Sequence, residues 1–274
     1  MYMYRDSEPK LSISFRLSVF LPFIMYTLKK SLGQHFLKDE TVTQKIVSAL
    51  QAQNFQCLLE VGPGGGALTK QLIKLPGINF RCVELDEEKV AGLLIDYPVL
   101  KGKIINGSIL EIEKPFEEPF TVIGNFPYNI STQILFKMLE WKEQVPCMIG
   151  MFQKEVALRV ASKEGNKVYG LLSVLVQAFF KVDYLFEVDE NCFTPPPKVK
   201  SAVIRLLRRD DIPPMKSERS FFVLVKAAFN QRRKTFRNAT KSLFEPIEME
   251  DPIFNKRAEQ LKVEELAALT FRMK

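Results

Sequence analysis

The stretch that decides the fold is Cys57-Leu58-Leu59-Glu60-Val61-Gly62-Pro63-Gly64-Gly65-Gly66-Ala67. Its first five residues are largely apolar, as expected of a buried strand, and a helix is predicted from about residue 67 to residue 74. The glycines between them let the backbone approach a ligand closely and present amide groups at the start of that helix. This stretch therefore predicts a strand, a ligand-binding turn and a helix.

The same alternation of strands and helices continues to about residue 152. Further strands are predicted at 80–85, 103–106, 120–123 and 147–152, with helices at 87–95 and 131–141. Strands that alternate with helices at this spacing form βαβ units, which build a parallel sheet with helices on both faces. A helix that precedes them, through about Gln53, is expected to be capped by Asp39.

The last two predicted strands, 182–188 and 199–207, are joined by the proline-rich loop 191–197. Because a short loop cannot make a parallel crossover, we expect an antiparallel hairpin at the sheet edge. Seven strands ending in such a hairpin are typical of the Rossmann-like fold of class I S-adenosylmethionine-dependent methyltransferases, which is an analogy of fold. The predicted class is α/β with a seven-stranded, mostly parallel sheet.

A linker and a helical C-terminal part follow the sheet. The linker is the segment 208–214, which has the charges and paired prolines of an interdomain connection. Ser217 is expected to cap a helix with a wide apolar face, and two or three more helices are predicted after it. We therefore divide the chain into a methyltransferase domain at 28–209 and a small all-helical domain at 210–274.

The first 27 residues form an extension of uncertain status. Residues 11–28 are largely apolar, but Arg16 and Pro22 interrupt them, so they match neither a transmembrane helix nor a signal peptide. We expect the working chain to begin near Met25. On this basis the protein is predicted to be cytoplasmic, without a membrane partner, and a monomer by default.

Charge is placed unevenly along the chain. The whole chain of 274 residues carries a formal charge of +7, whereas residues 198–241 hold 13 Lys and Arg against 3 Asp and Glu, a local charge of +10. A concentrated positive field favours a polyanionic partner, although a solvated basic face is the alternative. Four separated cysteines and a single histidine predict reduced thiols and no metal site.

Glu84 is the candidate cofactor ligand. It lies 18 residues after Gly66, at the end of the second predicted strand, where an acidic side chain accepts hydrogen bonds from ribose hydroxyls. A glycine-rich turn together with such an acid predicts a cofactor that contains adenosine. These two features leave open a dinucleotide or S-adenosylmethionine.

The segment after the fourth strand, Gly124-Asn125-Phe126-Pro127-Tyr128, favours S-adenosylmethionine. A nicotinamide enzyme usually has a His or Lys proton donor, which this segment lacks. It resembles the Asn/Asp-x-Pro-Tyr/Phe motif of methyltransferases that modify the exocyclic amino groups of bases. We expect the Asn125 side-chain oxygen to accept a hydrogen bond from an adenine amino group, while Tyr128 stacks on the ring.

Taken together, these motifs resemble one family, the small-subunit ribosomal RNA adenine N6,N6-dimethyltransferases (the KsgA/RsmA group), from about residue 28 to the C-terminus. The resemblance implies S-adenosylmethionine as methyl donor. It also implies that the segment 31–37 covers the cofactor, and that the aromatic residue of the segment 193–202 packs on the target adenine. The residues that match the family's cofactor contacts are His35, Leu37, Gly62, Glu84 and Asn125, and the catalytic matches are Asn125, Tyr128 and Phe193.

Ser108 departs from the family's pattern. Most relatives carry an aspartate at this position, after the third strand, and that acid accepts a hydrogen bond from the adenine amino group of the cofactor. A serine hydroxyl can accept one hydrogen bond, but a neutral bond is weaker than a charge-assisted one. We therefore expect weaker cofactor binding without loss of activity.

The basic segment interleaves cations with aromatic residues, as binding to an RNA backbone requires. Structured RNA is recognised largely by shape and phosphate contacts, so these cations position the substrate and take no part in the chemistry. Phe236 is expected to be a core residue. The predicted RNA contacts are Lys198, Lys200, Arg232, Arg233, Lys234 and Arg237.

The resemblance implies that the protein dimethylates the N6 groups of two adjacent adenosines near the 3′ end of small-subunit (16S) ribosomal RNA, in a pre-30S particle. Two alternatives stay open at this stage. One is a large-subunit ribosomal RNA methyltransferase of the antibiotic-resistance type, against which the segment 129–131, Asn-Ile-Ser, and the helical C-terminal part argue. The other is a non-catalytic assembly factor that binds S-adenosylmethionine, which only Ser108 supports.

Overall fold

The structure is a computed structural model that describes residues 35–231 and 233–274. Three sequence-based predictions lie outside these residues. They are the extension at 1–27, the part of the cofactor-covering segment at 31–34, and the RNA contact of Arg232.

A seven-stranded sheet organises the chain. The strands are β1 Phe36–Leu37, β2 Cys57–Val61, β3 Asn79–Glu84, β4 Ile104–Asn106, β5 Phe120–Asn125, β6 Cys147–Gln153, β7 Phe180–Val188, β8 Phe193–Thr194 and β9 Ser201–Arg208. The order in the sheet is β4-β3-β2-β5-β6-β9-β7. The strands from β4 to β6 are parallel, and β9 runs antiparallel to both of its neighbours, β6 and β7. The predicted parallel sheet and its antiparallel edge hairpin are therefore confirmed.

Helices cover the sheet, and the predicted caps of two of them are confirmed. Asp39 accepts hydrogen bonds from the backbone amides of Thr41 and Val42, and Ser217 accepts one from that of Ser220. Of the two or three helices predicted after that of Ser217, two are α-helical in the described residues, at Phe236–Thr240 and Val263–Leu269, and short 3₁₀ turns at Pro252–Asn255 and Ala258–Gln260 take the place of the third. The α-helices are α1 Glu40–Gln51, α2 Thr69–Leu72, α3 Glu87–Asp96, α4 Ser131–Glu140, α5 Lys154–Ala161, α6 Leu171–Gln177, α7 Glu218–Asn230, α8 Phe236–Thr240 and α9 Val263–Leu269.

Two apolar clusters lie on opposite faces of the sheet. Successive side chains of a strand point to opposite faces, so Val122 of β5 belongs to one cluster and Ile123 to the other. The cluster of Val122 also contains Phe221 and Leu224 of α7. Apolar packing therefore continues from the sheet into the helical C-terminal part, and the domain boundary at 209/210 stays a prediction.

The C-terminal helices pack around three aromatic rings. Phe236 is fully buried, as predicted, and its ring centroid lies 5.4 Å from that of Phe254, which meets Phe244 edge to face at 4.9 Å. Phe236 therefore supports the helical part from inside, and Arg233 and Lys234, which precede it in sequence, are exposed. Within the described residues, no helix is both long and apolar enough to cross a bilayer.

Two glycines face each other across β5 and β6 and leave room for one ring. Gly124 and Gly150 are paired in register, and the ring of Phe126 occupies the space beside both. A Cβ atom at Gly150 would overlap the Phe126 ring and lie 2.8 Å from the Phe152 ring. A side chain at this position therefore cannot be accommodated without moving a buried aromatic residue.

We predict that Gly150→Ala lowers the free energy of unfolding by about 1–3 kcal/mol, because it overpacks the core. Gly92→Ala is the matched control, since Gly92 lies in α3 and a Cβ atom there meets nothing within 4 Å. Removing a glycine from a helix should raise the free energy of unfolding by about 0.5–1 kcal/mol. Urea denaturation of both variants measures the two effects, and equal stability of the two would contradict the packing argument.

Candidate active site

The proposed site lies at the carboxyl ends of three adjacent parallel strands. Gly62 follows β2, Glu84 ends β3 and Asn125 ends β5, with β2 between the other two strands. In open α/β sheets, ligands bind in the crevice at this edge. The structure thus brings together three of the residues singled out from the sequence.

The glycine turn adopts a backbone conformation that other residues rarely accept. Gly62, Gly64 and Gly66 have φ angles of 68°, 54° and 78°. A Cβ atom at Gly66 would also lie 2.7 Å from the ring of Tyr97. The turn is joined to the neighbouring strand by a hydrogen bond of 2.9 Å from the Gly62 amide to the carbonyl of Val83.

Glu84 holds this turn and keeps spare acceptor capacity. Its carboxylate accepts hydrogen bonds from the backbone amides of Gly64 at 3.0 Å and Asp86 at 3.1 Å, one on each oxygen. An ionised carboxylate has about four acceptor positions, so two are left for ribose hydroxyls. The next residue, Leu85, is 47% exposed and offers an apolar surface at the same edge. These acceptor positions beside an apolar surface fit an adenosine group.

Glu60 is a buried acid behind the glycine turn. Its side chain is 1% exposed and accepts a hydrogen bond of 2.7 Å from the hydroxyl of Thr69, the first residue of α2. Burial raises the pKa of Glu60 to about 8, and the nearby charge of Glu84 contributes in the same direction. Glu60 is therefore largely neutral at pH 7, which reduces repulsion between the two acids.

We predict that the free energy of unfolding falls less in Glu60→Gln than in the wild type as pH rises from 4.5 to 8. The pKa of Glu60 is raised from 4.5 to about 8 on folding, so in this range the unfolded chain releases a proton that the folded chain retains. Wild-type stability should fall as pH rises through this range, by up to roughly 1.4 kcal/mol per pH unit from this group. Glutamine has no such proton to release.

The measurement is the free energy of unfolding at pH 5 and at pH 8, by urea denaturation. The free energy of unfolding of Glu60→Gln minus that of the wild type should be more positive at pH 8 than at pH 5. The control is Glu113→Gln, since Glu113 is exposed. A wild-type to Glu60→Gln difference that does not change with pH would show that Glu60 is charged in the folded protein.

The amide of Asn125 is held in one orientation. Its Nδ2 atom donates a hydrogen bond of 3.1 Å to the backbone carbonyl of His35. Only the NH₂ group of the amide can make this bond, so Oδ1 is directed away from His35. Asn125 is partly exposed, and its free oxygen is available as an acceptor.

Tyr128 is fixed at both its ends. The hydroxyl of Ser131 donates to its backbone carbonyl at 3.0 Å, and its phenol oxygen lies 2.5 Å from the hydroxyl of Ser201. Its ring centroid lies 5.7 Å from that of His35, with the two planes tilted by 32°. Burial raises the pKa of Tyr128 above its usual value, so the phenol is protonated at neutral pH.

A small second sheet joins β1 to the start of the loop at residues 193–200, which we call the target loop. Strand β1 pairs with β8, with Phe36 opposite Thr194 and Leu37 opposite Phe193. His35 Nδ1 donates to the carbonyl of Pro195 at 2.7 Å. Phe193 is fully buried, so its ring presents no exposed surface to a base in this arrangement. The predicted stacking role of Phe193 stays a prediction.

Phe36 is a site residue that the sequence analysis did not single out. Cβ atoms built at Gly64 and Gly65 would lie 3.3 Å and 3.5 Å from its ring, so the ring packs on the glycine turn. Lys89 lies over the same ring, with Nζ 4.8 Å from the centroid. The available signal was an aromatic residue between the two predicted cofactor contacts His35 and Leu37.

Ser108 lies just beyond β4, at the same edge of the sheet. Its hydroxyl oxygen accepts a hydrogen bond of 3.2 Å from the backbone amide of Leu110, and the residue is partly exposed. One acceptor position is therefore already used in a local turn. An aspartate could accept the same bond with one oxygen and present the other, charged oxygen to a ligand.

We predict that Ser108→Asp lowers the dissociation constant for S-adenosylmethionine by roughly fivefold, because a charge-assisted hydrogen bond replaces a neutral one. Isothermal titration calorimetry measures it. Ser108→Asn is the control of equal size without charge and should give a smaller change. An unchanged dissociation constant in Ser108→Asp would show that this side chain does not contact the cofactor.

The predicted RNA contacts differ in how free they are. Lys198, Arg233 and Lys234 are exposed, whereas Arg237 is partly buried in α8. Lys200 is exposed but forms an ion pair of 3.4 Å with Asp189. Exposed ion pairs contribute little to stability, so Lys200 could exchange this partner for a phosphate at small cost.

The family to which the chain belongs follows from comparison with known proteins. The model of the family described as ribosomal RNA adenine dimethylase matches residues 25–272. The chain belongs to this family. Ribosomal RNA adenine dimethylases are S-adenosylmethionine-dependent methyltransferases, so the predicted enzyme class and the recognition of the family are confirmed.

One curated relative in this dimethylase family is the ribosomal RNA small subunit methyltransferase A of Flavobacterium johnsoniae. It is 51% identical over 246 residues, which cover 88% of this chain and 94% of the relative. Two similar solved structures are a dimethyladenosine transferase from Plasmodium falciparum and the 23S rRNA methyltransferase ErmE. Their TM-scores are 0.71 and 0.64, at 23% and 24% identity, and each covers 85% of this chain and 94% and 99% of its own. These two structures confirm the fold class.

Proposed function

We propose that this enzyme dimethylates N6 of two adjacent adenosines near the 3′ end of small-subunit ribosomal RNA, within a pre-30S particle. The observation that carries the proposal is the fixed amide of Asn125. Its Nδ2 atom is bound to the His35 carbonyl, and Oδ1 is left at the carboxyl edge of the sheet. This acceptor is what an exocyclic amino group requires.

The chemistry needs orientation more than it needs a base. S-adenosylmethionine supplies a methyl group already activated by a positively charged sulfur. The N6 lone pair of adenine is delocalised into the ring, so acceptors that hold its N–H bonds direct the lone pair toward the methyl group. Asn125 Oδ1 supplies one such acceptor, and Tyr128 supplies a flat surface for the ring.

The cofactor would be held by the glycine turn and by Glu84, whose carboxylate retains two acceptor positions. Ser108 and Leu85 would lie beside its adenine. His35 is assigned no acid–base part, because transfer of an already activated methyl group needs no strong base; its Nδ1 atom donates to the carbonyl of Pro195. Its backbone carbonyl instead orients Asn125.

The substrate RNA would be held by the exposed cations after α7 and beside the target loop. Arg233 and Lys234 lie between α7 and α8, and Lys198 lies in the target loop. Phosphate contacts of this kind position an RNA without reading its sequence. The monomeric state, the cytoplasmic location and the absence of a metal stay predictions.

The choice of small-subunit RNA is supported by the name and the 51% identity of the Flavobacterium johnsoniae relative. The fold does not distinguish a small-subunit from a large-subunit substrate, because a 23S rRNA methyltransferase shares it. A large-subunit substrate is therefore the second candidate. The intact segment 124–128 argues against a non-catalytic assembly factor that only binds S-adenosylmethionine.

The test is to incubate the protein with labelled S-adenosylmethionine and, separately, with unmethylated small subunits and with large-subunit RNA. We expect N6,N6-dimethyladenosine at two adjacent positions of the small-subunit RNA. Label only on large-subunit RNA would overturn the choice of substrate. Cofactor binding without label on either RNA would overturn the catalytic proposal.

A further inference from the structure

We propose that Ser201 is a positioning residue that fixes the phenol of Tyr128 and thereby couples the target loop to the acceptor site. This inference rests on the proposed function, in which Tyr128 stacks on the adenine. The contact that motivates it joins the Ser201 hydroxyl to the phenol oxygen at 2.5 Å. Ser201 has no role in the sequence analysis beyond its place in the family's loop.

Ser201 is a rigid anchor for this contact. It is the first residue of β9 and is fully buried. Its backbone is paired with Gln153 of β6 on one side and with Val188 of β7 on the other. The sheet therefore fixes the backbone of Ser201, and the hydroxyl can move only by rotation about the Cα–Cβ bond. A buried hydroxyl left without a partner is also unfavourable, which favours the bond to Tyr128.

The hydrogen bond with Ser201 restrains the ring of Tyr128, which the bond to its backbone carbonyl leaves free to rotate. The hydroxyl of Ser131 holds the backbone carbonyl of Tyr128, but the ring can still rotate about its side-chain bonds. A hydrogen bond at the far end of the ring removes that freedom. A stacking surface with a fixed plane favours one orientation of the bound base, and correct orientation of reacting groups raises the rate of transfer.

Both ends of the target loop are bonded to the acceptor site. At one end, Pro195 accepts from His35 Nδ1, and the His35 carbonyl accepts from Asn125. At the other end, Ser201 follows the loop directly and bonds to Tyr128. The orientations of Asn125 and Tyr128 are thus both tied to the position of this loop.

The test is a double-mutant cycle with Ser201→Ala, Tyr128→Phe and the combined variant. Each single variant should lower kcat by about tenfold, as loss of one hydrogen bond would, with an unchanged dissociation constant for S-adenosylmethionine. The combined variant should be no slower than either single variant, because both remove the same bond. Additive losses, or full activity of Ser201→Ala, would overturn the proposal.

Ser173→Ala is the matched control for lost packing. Ser173 is also a fully buried serine, but its hydroxyl bonds to the backbone of Arg159 and Gly170, away from Tyr128. We expect this variant to lose stability and keep its kcat. An equal loss of kcat in Ser173→Ala at an equal change in Tm would show that Ser201 acts only through stability, and would overturn the proposal.

A second readout does not depend on catalysis. Hydrogen bonding from Ser201 lowers the pKa of the Tyr128 phenol, in opposition to burial. Ser201→Ala should therefore raise the pKa of Tyr128, measured by NMR of ¹³C-labelled tyrosine and assigned with Tyr128→Phe. An unchanged pKa would overturn the positioning bond. A raised pKa in a protein that methylates neither ribosomal RNA would support the bond and refute the proposed function, so the two failures are distinguishable.

Discussion

The ring of Phe126 is the packing constraint on which the acceptor site depends. It fills the space that side chains at Gly124 and Gly150 would take, and it meets Phe152 edge to face with ring centroids 5.1 Å apart. This ring is 1% exposed and occupies the core position of the segment, which Asn125 and Tyr128 do not share. They are left partly exposed at the sheet edge. Two glycines and one aromatic residue therefore determine which side chains of the segment 124–128 reach a substrate.

The sheet could be predicted from the sequence because its strands are buried and periodic. The parallel direction of the strands and the carboxyl-edge position of Glu84 and Asn125 follow from the alternation of strands with helices, and the antiparallel hairpin follows from the short loop between its strands. The pairing of β1 with β8 could not be predicted, since strands of two residues carry no periodic signal and these two are far apart in sequence. The burial of Phe193 in an apolar cluster was likewise not indicated by the sequence.

The same limit applies to the electrostatics. A count of charges treats each cation of the segment 198–241 as unpaired, whereas several of them form ion pairs within the protein. Arg205 bonds to Asp183 at 2.7 Å, and Arg209 reaches both Asp211 and Glu264. The neutral state of Glu60 likewise depends on burial and on Thr69, which no local pattern reveals. Fewer cations are therefore available to an RNA than the charge count indicates, and Arg233, Lys234 and Lys198 are among those that stay exposed.

Residues 35–37, which include β1, contact several parts of the proposed site. Phe36 packs on the glycine turn, the His35 carbonyl orients Asn125, and Leu37 pairs with Phe193. A ladder of two residues has few hydrogen bonds of its own, so the contacts of residues 35 and 36 add to what holds this segment in place. The proposed cofactor side and the proposed base side of the site therefore share one covering segment.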